Sequence, residues 1–188
     1  MREAFLGQDG QAVARTIPIG DSSERGTPNT GVSAVEGFSG SFIVTKLSFT
    51  ALAIGAIAAG ASEAIGKKIY TFPAGRVIVL GASMAVALSD TADLIDADTP
   101  DGGLGTLIGS GAAAVLSTVG AAAENILTGQ TFNDVNGTQE LKTVATTLVI
   151  EAADSHDVFF NLADGWAGAD AGVKATGEIL LLWLLLEG

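Results

Sequence analysis

Cysteine is absent from the 188 residues, and histidine occurs once, as His156. Disulfide staples, thiolate nucleophiles and cysteine-based zinc sites are therefore excluded. Basic side chains are scarce as well: 9 Lys+Arg stand against 21 Asp+Glu, a net charge of −12. Nucleic-acid binding requires a basic stripe to neutralise phosphates, and anionic lipid attracts the same residue types. Neither nucleic acid nor membrane is expected as a partner. Charged residues of both signs make up only 16%, beside 25 glycines and 48% hydrophobic residues. That balance is foreign to coiled coils and suits a turn-rich, closely packed β domain. The one long charge-free run, Leu104–Ala123, consists mostly of Gly, Ala, Ser and Thr. It has the length of a bilayer span without the apolarity, so it reads as a buried segment. The opening MREAFLGQDGQ has no apolar stretch of signal-peptide length.

Motifs that carry chemistry are missing too. In Ser155-His156-Asp157, neighbours in an extended chain point to opposite sides, so the run makes no triad. Gly81-Ala82-Ser83-Met84-Ala85 departs from the nucleophile elbow at its last position. Gly103-Leu104-Gly105 has Ile108 where a phosphate loop of the dinucleotide type needs its third glycine. The acidic run from Ser89 to Asp101 offers Asp96, Asp98 and Asp101 as candidate metal ligands. Its spacing fails the calcium-loop pattern, with Leu107 in place of the closing Glu, and a solvated acidic loop is the ordinary reading. No catalytic residue and no cofactor is expected, and the chain does not read as an enzyme.

What is present is a pattern of strands. Residues 1–40 carry scattered glycines with Pro18 and Pro28 and no sustained periodicity, which reads as an extended N-terminal arm before a domain at 41–188. Ser41–Phe49 alternates in the manner of a strand, as does Thr143–Ile150. Lys67–Leu88 reads as a hairpin turning at Pro73 and Gly75. Leu116–Gly129 has apolar residues at helical spacing and a terminal glycine. Asp157–Leu162 and Gly172–Leu186 read as a closing antiparallel pair. The end of the chain, ILLLWLLL at Ile179–Leu186, is apolar on both faces and too short to cross a bilayer as a helix. Exposed, it would be an aggregation hazard, so Ile179, Leu181, Leu182, Trp183, Leu184 and Leu185 are the candidate interface residues. The expected fold is all-β, a jelly-roll-like or Greek-key β-sandwich with one short helix and an extended N-terminal arm.

KKIYTFPAGRVIVLGASMAVAL (Lys67–Leu88) and DVFFNLADGWAGADAGVKATGEILLLWLLL (Asp157–Leu186) resemble segments of the capsid decoration, or cement, proteins of tailed bacteriophages. The resemblance implies a homo-oligomer, a trimer in that family's pattern, seated on the outer capsid surface of the virion. Its partner would be the major capsid protein, which it would bind and stabilise. The family has no catalytic residues to carry over. Another phage virion component is the alternative: a tail, head-fibre or receptor- and carbohydrate-binding module. Carbohydrate binding would need exposed aromatics, with Trp166 as the candidate.

Overall fold

Alternating burial builds the molecule. The computed structural model describes residues 25–39, 42–58, 60–91, 93–133 and 135–186. Ten strands are formed among the described residues: β1 (Thr27–Pro28), β2 (Val32–Ser39), β3 (Phe42–Ile57), β4 (Ser62–Thr71), β5 (Arg76–Ser89), β6 (Asp101–Gly105), β7 (Leu127–Thr131), β8 (Asn136–Ile150), β9 (Asp157–Gly165) and β10 (Asp170–Leu186). They pair antiparallel in two five-stranded sheets, ordered β2-β3-β10-β5-β8 and β1-β4-β9-β6-β7. From β3 onward the chain changes sheet at every connection except β6–β7. That order is the jelly roll, a double Greek key in which each sheet covers the apolar face of the other.

The core lies between the sheets. Every second residue of β10 (Ile179, Leu181, Trp183) is fully buried, as are Val77, Val79, Met84, Val86 and Leu88 of β5. Trp183 meets the Phe72 ring edge-on at 5.2 Å, and its Nε1–H donates to Thr45 Oγ1 at 2.8 Å. The longest strands keep this alternation only by means of bulges. Register shifts interrupt β10 near Gly177, whose φ of +154° and contact with the Ala85 carbonyl leave no room for a Cβ. Opposite it, Thr176 Oγ1 accepts the Ala51 N–H at 2.8 Å.

Four local readings are revised. The arm does not extend to residue 40: β1 pairs with β4, and β2 pairs with β3 from Val32 to Ser39. Val32 is buried there, and Ala34 and Phe38 pack against the core; residues 1–24 of the expected arm lie outside the described residues. Lys67–Leu88 is no hairpin, because β4 and β5 belong to different sheets. Pro73 and Gly75 (φ +113°) turn the chain, but turn residues specify reversal and not the strand with which the next segment pairs. The closing pair is separated in the same way, with β9 beside β4 and β6 while β10 lies between β3 and β5.

The helix is short: α1 spans only Leu116–Val119, followed by a 3-10 turn at Ala121–Ala123. Gly120, at φ +143°, breaks it, and from Leu127 the chain is strand β7. Leu116, Ala123, Ile126 and Leu127 are all buried, so helical spacing here reflects a loop folded back onto the second sheet. Gly105 permits that approach, since a Cβ would overlap the Ala122 and Ala123 backbone. No helix among the described residues is long and apolar enough to cross a membrane.

Candidate interaction face

The alternation that buries one side of the first sheet turns an unusually apolar set outward. Between the buried residues of β3 and β10, Phe42, Val44, Leu180 and Leu182 face solvent, exposed by 45%, 37%, 42% and 37%. They are neighbours: Leu182 stands opposite Val44 on β3 and Gly81 on β5, and Leu180 opposite Lys46 and Ser83. Leu184 lies against Ile78, which pairs with the exposed Val149 of β8. Val35 on β2 and Leu141 on β8, both about two-thirds exposed at 69% and 70%, lie toward the sheet's two sides. Scattered exposed apolar residues are ordinary on any protein; a contiguous group spanning several strands marks an interaction surface.

Charge on this surface is sparse and mostly paired, Lys174 of β10 standing apart from the pairs. Lys46 pairs with Glu178 across β3–β10 at 2.5 Å, and Arg76 pairs with Glu151 at 2.6 Å at the far end. Such half-exposed pairs add little stability. Near the bulges a shallow depression of about 600 Å³ opens between Ser33, Ser48, Thr176 and Glu178. Its one carboxylate is already bonded to Lys46.

Of the six expected interface residues, the structure divides the set by parity. Ile179, Leu181 and Trp183 are fully buried core residues and are not available to a partner. Leu182 and Leu184 lie on the outward side, and Leu185 packs against the edge of the core. Phe42, Val44 and Val149 were not singled out from sequence; the signal was present in Phe42, Val44 and Ile43 of one strand being apolar on both parities.

The acidic loop is arranged differently from its spacing. Asp98 accepts the Ala167 N–H at 2.8 Å and 3.1 Å through its two oxygens, and Asp101 Oδ2 accepts the Leu116 N–H at 2.8 Å. These two fasten loops. Asp96 instead lies with Asp90 and Asp93, each offering an oxygen within 4.8 Å of the others. Asp90 also accepts the Asp93 and Ile95 N–H groups, the usual organisation of an Asp-led turn.

His156 is a latch. Its Nε2 lies 2.7 Å from the Gly75 carbonyl and its Nδ1 2.9 Å from that of Asp154, so both ring nitrogens are engaged by backbone and neither faces a nucleophile. Trp166 is 1% exposed and donates Nε1–H to the Glu63 carbonyl at 2.9 Å, which removes it as a sugar platform.

Two buried polar groups escaped the sequence reading because their partners are distant in the chain. Asn161, fully buried, holds Gly109, Leu107 and Ala123 together. Asp170 fixes the start of β10 to the β5–β6 loop, accepting from Thr91 N–H at 3.0 Å, Thr91 Oγ1 and Gly172 N–H at 3.0 Å. Burial alone would raise the Asp170 carboxyl, but these bonds outweigh it and hold the group below its ordinary value of 3.8. A carboxylate depressed in the folded state stabilises above its unfolded value and loses that contribution as pH falls through the folded one. Asp170→Asn is therefore expected to cost about 1–2 kcal/mol at pH 7 and much less near pH 3, read from urea melts at the two pH values. An equal cost at both would show that the charge plays no part.

With this geometry in view, the comparisons add little. No family model matches the chain, and no curated protein does. Among solved structures, an arabinose-bound GH51 α-L-arabinofuranosidase is similar over 84% of this chain and 23% of its own length, at 14% identity and a TM-score of 0.32. The likeness is too low to bear on what this chain does.

Proposed function

We propose that this chain is a structural virion protein, a capsid decoration subunit that binds the outer surface of the major capsid shell of a tailed phage and stabilises it. The observation that carries the reading is the broad outward face of the first sheet, rich in apolar side chains and free of acidic excess on a chain of net charge −12. A cement subunit acts by adhesion. Each copy bridges neighbouring shell subunits, and burying apolar area contributes about 25 cal/mol per Å² before the costs of association. Repeated over many copies, a modest affinity resists the outward pressure of packaged DNA. The two-layer jelly roll supplies a stiff plate for that purpose, and the acidity keeps free copies soluble and apart from the genome. The resemblance of Lys67–Leu88 and Asp157–Leu186 to decoration proteins points the same way.

The test is co-sedimentation of the purified chain with undecorated shells of the phage that encodes it. Saturable binding in many copies per particle, with a higher temperature of shell disruption, is the expected result. A chain that never sediments with shells, or that is found in a few copies at the tail, overturns the reading.

A further inference from the structure

The geometry points to a second copy of this chain as the occupant of the outward face, in a two-fold, sheet-on-sheet pair. Three features favour self-association. The first is relief. On β10, Leu180 and Leu182 form a ridge, and beside it on β5 Gly81, Ser83 and Ala85 form a trough in register. A ridge and a trough side by side on one face are complementary to the same face rotated by a half-turn, as an isologous contact requires. Facing sheets pack about 10 Å apart when large and small side chains interdigitate in this way.

The second is charge. Two copies at −12 each repel, and contact is least opposed where the surface is neutral. The charged side chains of the face are two ion pairs, Lys46–Glu178 and Arg76–Glu151, and Lys174 between the buried Val173 and Ala175 of β10. The face therefore lacks the acidic excess of the chain, while Asp90, Asp93 and Asp96 lie off it in the β5–β6 loop. A partner selected by basic charge would be drawn to that loop instead. The third is size. Five strands about 4.8 Å apart, over a length of about 33 Å from Thr176 to Leu186, give a face of about 800 Å². That is about one partner's share of a stable interface.

The pair rests on the same outward face as the reading above, and one copy cannot offer that face to a partner and to a shell at once. The pair is the form of the free chain; it parts before the face meets a shell, and it stands in place of the trimer that the resemblance implies. Sedimentation equilibrium of the full chain is expected to give twice its 18.8 kDa mass. Leu182→Asp is expected to weaken self-association by more than about 100-fold, because each pair then buries two like charges, with an unchanged far-UV spectrum. Ser83→Glu tests the trough without removing any apolar group, and it decides the matter if the first variant does not fold. A wild-type mass of one or three chains overturns the pair, as does a folded Ser83→Glu or Leu182→Asp variant that keeps the wild-type mass. The monomeric variant mixed with shells then separates the two proposals. Absence of binding by both wild type and variant would sink the virion reading and leave the pair standing.

Discussion

Trp183→Ala is expected to lower the free energy of unfolding by about 3–5 kcal/mol, the range for emptying a large buried aromatic site. Trp183 is fully buried on the central strand of the first sheet, between β3 and β5. Its removal loses the edge-on contact with Phe72 and leaves Thr45 Oγ1 without its indole donor. Neighbouring strands on both sides are tied by ladder bonds, so the cavity cannot close by a local shift. Trp183→Phe retains most of the volume and is expected to cost about 1–2 kcal/mol, part of it for the lost indole–hydroxyl bond. Urea titration followed by far-UV circular dichroism gives both values. An alanine variant within 1 kcal/mol of wild type, on the order of one lost hydrogen bond, would mean that Trp183 does not occupy the centre of the core.

Asn161→Ala is expected to cost about 3 kcal/mol, although it removes only one small polar side chain. Asn161 Oδ1 accepts the Gly109 N–H at 2.7 Å, and Nδ2 donates to the Leu107 and Ala123 carbonyls at 2.9 Å and 2.7 Å. Its loss strands three backbone groups, and an unsatisfied buried group costs about 1–3 kcal/mol. Gly66 is the matching concession on β4, since a Cβ there would overlap the amide oxygen. Asn161→Asp is the control of choice. It preserves shape and the bond to Gly109 but turns the donor toward two carbonyls into an acceptor, so it is expected to cost at least as much as alanine. Hydrogen exchange should show the damage confined to residues 106–125 while β3, β5 and β10 stay protected. Uniform loss of protection throughout the sandwich would instead make Asn161 part of the global folding core.

The shared feature of Trp183 and Asn161 is that their sequence neighbours say little about them. Trp183 sits in a run of leucines, where the sequence shows burial of both parities but not which one faces the core. The structure resolves it by pairing: β10 lies between two strands of its own sheet and under a second sheet on one side only. Ile179, Leu181 and Trp183 therefore go inward, and Leu180 and Leu182 go outward. Asn161 looks like any polar residue in an alternating strand, and its three partners are 38 to 54 residues away. The acidic run behaves likewise, since spacing alone cannot show that Asp98 and Asp101 are drawn off to Ala167 and Leu116.

By itself the sequence determined the class: strands with period-two alternation, turns at Pro and Gly, and an acidic surface. Those are local properties, set by steric preference and by which side of an extended chain is greasy. Tertiary structure alone decided which strands pair, so the expected hairpin at Pro73–Gly75 became a passage between sheets and the 116–129 helix collapsed to a single turn. It also decided which side of β10 meets water. The physical reason is that pairing and burial are settled by contacts between residues far apart in the chain, where local preferences for either partner are nearly equal.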